Sequence, residues 1–156
     1  MKRTRKKDPN LGEQIKRHST KRTEKEEFDG NFEKVISTGS TLLDLAISGG
    51  RVKGGGMPAG ILVEVFGPSG CGKTVILSEI AGNIQRLGGE VMFHDPEARL
   101  NPQFAKLFGV KFEDMEYSMP DTVPQVFKGV RSWEPENDKV VNGVMADSLA
   151  ALSTDL

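Results

Sequence analysis

Gly67-Pro-Ser-Gly-Cys-Gly-Lys-Thr74 places glycines, a lysine and a hydroxyl at G-x4-G-K-T spacing, which is the chemistry of a phosphate cradle. Glycines let backbone N–H groups turn inward around an anion where a Cβ would clash. At this spacing Lys73 reaches the β- and γ-phosphates of a nucleoside triphosphate, and the Thr74 hydroxyl holds Mg²⁺. Gly67, Pro68, Ser69, Gly70, Cys71 and Gly72 make up the loop, which binds chiefly through its backbone N–H groups. The bland alternative is a glycine-rich turn that happens to precede a lysine. Cys71 reads as a small filler rather than a nucleophile. As the chain's one cysteine it can form no internal disulfide, which fits a reducing cytoplasm.

Two carboxylates stand where such a site needs them. In open α/β sheets ligands sit outside the carboxyl ends of the strands. Asp147 follows the strand-like run Val140–Ala146 and is placed to hold Mg²⁺ through its shell. It is equally placed to cap a helix over Ser148–Leu152. Glu97 lies just past a strand ending at Asp95, where a carboxylate orients or deprotonates an attacking water or is simply solvated. His94 reads as a strand-end histidine, His18 as part of a tail, and Trp133 has no evident function.

Those residues need a scaffold, and the pattern supplies one. Ile61–Phe66 reads as the strand entering the phosphate loop and Val75–Ile84 as the helix leaving it. The helix presents Ile76, Leu77, Ile80, Ala81, Ile84 and Leu87 on one face and stops at Gly88-Gly89. Upstream, Phe32–Ile36 reads as a short strand. A helix starting at Thr41, with Asp44 at capping-box spacing, carries an apolar face of Leu42, Leu43, Leu45, Ala46 and Ile47 and stops at Gly49-Gly50. Arg51–Gly60 is a glycine-rich loop without evident purpose. Downstream come strands at Glu90–Asp95, Met115–Ser118 and Val140–Ala146. Helices at Pro102–Phe108 and Thr122–Trp133 alternate with them, with Pro124 in a first turn where proline is tolerated. Alternation of this kind predicts a mainly parallel sheet flanked by helices, the α/β class.

The chain has 156 residues, 37% hydrophobic and 28% charged, which fits one globular domain. No stretch approaches the roughly 18 apolar residues of a membrane span. Residues 1–27 hold ten Lys/Arg against five Asp/Glu, a net of +5, while residues 28–156 hold eleven against seventeen, a net of −6. The division is therefore a basic N-terminal segment, 1–32, and a nucleotide-binding core, 33–156. The basic segment has almost no apolar residues to bury. It is a solvated tail, a phosphate contact to nucleic acid or a dock for a neighbouring subunit. No aromatics are interleaved to stack on bases.

Taken in order, the segments resemble the RecA family of recombination ATPases. The matching stretches are Ile36–Ser40, Leu43–Ala46, Gly67–Thr74, Asp95–Phe104, Leu107–Val110, Pro120–Thr122 and Ala146–Leu152. The resemblance implies a RecA-like P-loop fold, here ending shortly after the Walker B strand, and so the N-terminal part of a longer protein or a truncated reading frame. It implies ATP and Mg²⁺ as cofactors. Glu97 matches the family's water-activating glutamate, Phe104 the position of a ring against adenine, and Asn101 that of an acidic residue near the base. It implies single-stranded DNA as partner, through regions mostly beyond this chain, and self-association into filaments or rings. The implied function is a DNA-dependent ATPase of recombination and repair. Alternatives are a helicase or RadA-like motor, or a nucleotide-binding module that does not hydrolyse.

Overall fold

The computed structural model describes residues 34–154. The basic segment and the first two residues of the Phe32–Ile36 strand lie outside them. The centre is a three-stranded parallel sheet in the order β4-β3-β5, with β3 Val91–His94, β4 Met115–Ser118 and β5 Gly143–Ala146. Val91 pairs with Met115 on one side and Gly143 on the other, and His94 with Ser118 and Ala146. A strand between two parallel neighbours is buried on both faces, and all four residues of β3 are 0–3% exposed.

Side chains of β3 alternate between two helices. Val91 and Phe93 pack with Ile80, Ala81 and Ile84 of α2 (Lys73–Arg86), together with Leu100, Ala105, Met115 and Met145. Met92 and His94 face α4 (Val123–Ser132), where a Cβ on Gly129 would lie 2.8 Å from His94 Cε1. From β3 the chain reaches β4 through α3 (Pro102–Leu107), then crosses to the other edge of β3 through α4. Because the two crossovers run to opposite edges, the right-handed rule assigns their helices to opposite faces. The α/β sheet flanked by helices that the alternation predicts is the one that folds.

Asn101 and Thr122 cap α3 and α4 by accepting hydrogen bonds from the N–H groups of Phe104 and Gln125, as such residues do ahead of an apolar turn. Both helices start with proline in the first turn. β5 begins only at Gly143 because Asn142 is spent on the preceding turn. Its Oδ1 accepts from the N–H of Glu90 and its Nδ2 donates to the carbonyl of Asn137.

The structure corrects the pattern in three further places. Ile61–Phe66 forms no strand: it has no ladder partner among the described residues, and Ile61, Leu62, Val63 and Phe66 are exposed. Backbone groups with no partner strand stay with water. Leu87 is exposed as well, one residue past the end of α2.

The third correction is α1 (Thr41–Ser48). Its cap is Ser40, whose Oγ accepts from the N–H of Leu43. Asp44 does not complete a capping box. Its carboxylate accepts from Ser37 Oγ at 2.6 Å, Thr38 N–H at 2.8 Å and Thr38 Oγ1 at 2.7 Å. Ser48 Oγ donates to the carbonyl of Gly56 at 2.7 Å. These bonds turn the polar edge inward, so Asp44 and Ser48 are buried while Leu42 is 81% exposed. The glycine-rich loop now has a purpose. Gly55 lies at φ +67°, where a Cβ would sit 2.1 Å from the carbonyl oxygen of Asp44, so the loop folds directly onto α1. It then pairs β2 (Met57–Pro58) antiparallel with β1 (Val35–Ile36).

Candidate nucleotide-binding site

Gly72, at φ +94°, is the last residue before α2, so the phosphate loop turns directly into a helix N-terminus. That end carries unsatisfied N–H groups and the positive pole of the helix, a natural seat for phosphate. Lys73 opens the helix and donates from Nζ to the carbonyls of Gly67 and Pro68, both at 3.0 Å. Its ammonium therefore hangs over the loop. A Cβ on Gly67 would meet Cys71 Sγ at 2.7 Å, so the exposed Cys71 thiol lies close against the start of the loop.

Thr74 sits one residue further and donates from Oγ1 to Asp147 Oδ2 at 2.5 Å. Asp147 is placed by the sheet. Its N–H continues the ladder past β5 by donating to the His94 carbonyl at 2.9 Å. A hydroxyl and a carboxylate brought together from residues 73 apart form a hard-oxygen pair of the kind Mg²⁺ takes alongside phosphate oxygens and water. No group of three or more His, Cys, Asp or Glu that could hold a metal occurs among the described residues. A magnesium bound mainly through phosphate needs none.

The third wall comes from the loop after β3. Asp95 is buried; its N–H donates to the Ser118 carbonyl, and its Oδ2 accepts from the N–H of Leu100 at 2.7 Å and from Tyr117 Oη at 2.9 Å. Burial pushes the Tyr117 phenol up to about 12, and the bond to Asp95 adds to the effect. Tyr117 is thus a permanent donor near neutral pH, and Asp95 is the peg on which residues 95–100 hang. Ala98 takes φ +50°, the one non-glycine residue with positive φ among the described residues. This bend brings Glu97 and Arg99 together, with Arg99 Nη2 donating to Glu97 Oε1 at 2.7 Å.

The three segments close a cavity of about 430 Å³ lined by the loop residues Ser69, Gly70, Gly72, Lys73 and Thr74, with Glu97, Arg99, Asp147 and Ser148 completing the wall. Glu97 and Asp147 thus share one space with the phosphate loop. Asn101 and Phe104 do not line it. Asn101 Oδ1 caps α3 at 2.7 Å from the Phe104 N–H, and the Phe104 ring packs edge-on against Phe108 with centroids 4.9 Å apart.

Sequence reasoning missed the roles of Asp95 and Arg99. The loop turns at Ala98, and an alanine gives no warning of a left-handed turn. On the far face of the sheet, His94 is buried with Nδ1 2.6 Å from Ser118 Oγ, while Nε2 has no partner among the described residues.

A family model described as the RecA N-terminal domain matches residues 13–155. Similar curated proteins include protein RecA of Thermus thermophilus, 40% identical over 118 residues, which cover 76% of this chain and 33% of that protein. Protein RecA of Streptomyces venezuelae is 38% identical over 123 residues, covering 76% of this chain and 29% of its own length. Protein RecA of Treponema denticola is 38% identical over 124 residues, covering 80% and 28%. The chain thus spans about a third of the length of the curated relatives it matches.

Proposed function

Because this chain belongs to the RecA family, we propose that it carries the ATP-binding part of a DNA-dependent ATPase of recombination and repair. One observation supports this above the rest: Lys73, Thr74, Glu97 and Asp147 come from three separate segments and line one cavity. In this reading the loop N–H groups and Lys73 bind the β- and γ-phosphates of ATP. Thr74 and Asp147 hold Mg²⁺, which when bound neutralises charge on the phosphates. Glu97 orients the attacking water.

For the adenine we propose the surface next along the chain, at Asn101 and Phe104, beside rather than within the phosphate cavity. Single-stranded DNA is the proposed partner, bound mostly through residues beyond this chain, with self-association into filaments or rings and a cytoplasmic setting. No helix among the described residues is long and apolar enough to cross a membrane.

The test is phosphate release from ATP by the full-length gene product, with and without single-stranded DNA. DNA-stimulated turnover is expected, lost by at least about a hundredfold in Glu97→Gln, in line with removal of a general base. ATP binding should survive in Glu97→Gln and fail in Lys73→Ala. Turnover indifferent to DNA would sink the recombinase reading and favour another RecA-fold motor, a helicase or RadA-like ATPase. A second reading, a nucleotide-binding module without turnover, is favoured by the unpaired Ile61–Phe66 run that leads into the loop. It predicts tight ATP binding and no phosphate release.

A further inference from the structure

Arg99 lines the cavity beside Lys73, Thr74, Glu97 and Asp147, yet the nucleotide reading gives it no task. Its backbone is fixed. Leu100 N–H and Ala98 N–H are both tied to Asp95, at 2.7 Å to the carboxylate and 3.1 Å to the carbonyl. Its side chain is not fixed in the same way. It is 59% exposed, and the recorded partner of its guanidinium is Glu97, itself 32% exposed. A pair this open to water holds weakly. A guanidinium has five donors in a planar fork that suits phosphate oxygens, which carry more charge than one carboxylate. With a triphosphate on Lys73 and Thr74, the stronger anion would lie in the same cavity as Arg99.

We propose that Arg99 senses the terminal phosphate and, by moving to it, releases Glu97. The inference rests on the nucleotide-binding reading above. Without a triphosphate, Arg99 occupies Oε1 of Glu97, and a water has to compete with it for that oxygen. With a triphosphate, the guanidinium donates to the terminal phosphate instead, and the freed carboxylate accepts from the water. A diphosphate lacks the terminal group and leaves the Arg99–Glu97 pair in place. One side chain thus couples recognition of the third phosphate to availability of the base. The positive φ of Ala98 makes the coupling possible, because it folds the two side chains onto each other.

The experiment is calorimetric titration of the chain with Mg²⁺-ADP and with a non-hydrolysable Mg²⁺-ATP analogue. It compares wild type, Arg99→Ala, Arg99→Lys, Glu97→Gln and the Glu97→Gln, Arg99→Ala double variant. Arg99→Ala should weaken the triphosphate analogue by about tenfold, the scale of one charged hydrogen bond, and leave ADP within about twofold of wild type. Arg99→Lys should recover part of the loss. Glu97→Gln should tighten the triphosphate by about twofold to fivefold, the scale of a released exposed pair, and that gain should vanish in the double variant. A gain that persists without Arg99, or equal losses for both nucleotides, overturns the proposal while leaving nucleotide binding intact. Failure of wild type to bind either nucleotide overturns both. A purely structural role for Arg99 would lower the melting temperature and weaken both nucleotides alike.

Discussion

Val91–His94 and Ile61–Phe66 are both short apolar runs, and the second is the richer in β-branched residues. The first lies at the centre of the sheet, almost without exposed surface. The second has Leu62 fully exposed and Phe66 86% exposed. Composition therefore does not separate them; neighbours do. β3 has β4 on one edge and β5 on the other, so each of its peptide groups is paired and its side chains meet α2 and α4. No described strand lies alongside Ile61–Phe66. β-propensity measures fit to a pleated, half-buried surface, and without that surface it expresses nothing. The contrast bears on the site, because the unpaired run leads straight into the phosphate loop while the paired strands carry Asp95 and Asp147.

The largest effect that would test this contrast comes from truncating one aromatic in each run. Phe93→Ala removes a fully buried ring among Ile80, Ile84 and Met145 and should cost about 3–5 kcal/mol in urea unfolding. Phe66→Ala should stay within about 0.5 kcal/mol of wild type. Hydrogen exchange gives the same comparison without mutation, with β3 amides protected and those of residues 62–66 exchanging fast. Equal losses from the two substitutions would mean that Ile61–Phe66 is packed in solution.

A smaller and better-controlled contrast uses two glycines of the Arg51–Gly60 loop. Gly55 and Gly60 both sit at positive φ, +67° and +79°, but a Cβ on Gly55 would meet the Asp44 carbonyl oxygen at 2.1 Å, whereas on Gly60 it meets nothing. Gly60→Ala should cost about 1–2 kcal/mol, the left-handed backbone alone. Gly55→Ala should lose about 1–3 kcal/mol more by overpacking. Identical losses would show that the loop leaves α1 in solution and that its glycines serve only the turns.

How much could be read beforehand follows the same line. The sequence pattern places β4 to the residue and α4 to within one at each end, because period and capping are local. The rule that strand ends carry ligands needs only strand order, and it puts Glu97 and Asp147 on the side of the sheet where they line one cavity with Lys73 and Thr74. Reading failed where one element had to find another. Leu42 and Leu45 look like a core face, yet Asp44 draws in the hydroxyls of Ser37 and Thr38 and turns that face outward. Burial alone would push the Asp44 carboxyl up, but those bonds together outweigh it and hold it below its ordinary value. Arg99 was missed for a like reason. Its meeting with Glu97 depends on the backbone of Ala98, a residue type that carries no signal for a left-handed turn.

The smallest effect isolates one buried group at the end of the paired strand. Burial holds His94 below its ordinary value, with the carboxylate of Glu116 acting the other way. The unfolded chain takes up this proton near pH 6.5, while the folded chain resists until lower pH. Between those two points the unfolded state binds more protons, so stability falls as pH falls. Asp44 adds nothing in that window. Its depressed folded value keeps its contribution intact above the ordinary carboxylate range, near pH 4, and loses it only as pH drops further. Melting temperature should therefore decline from pH 7.5 to 5.5 in wild type and decline less in His94→Met, which keeps the volume and removes the proton site. Ser118, whose Oγ meets His94 Nδ1 at 2.6 Å, is half-buried and has water as a substitute partner. An unchanged slope in His94→Met would mean that the imidazole already reaches water, and that the centre of the sheet is less sealed at its carboxyl end than its pairing implies.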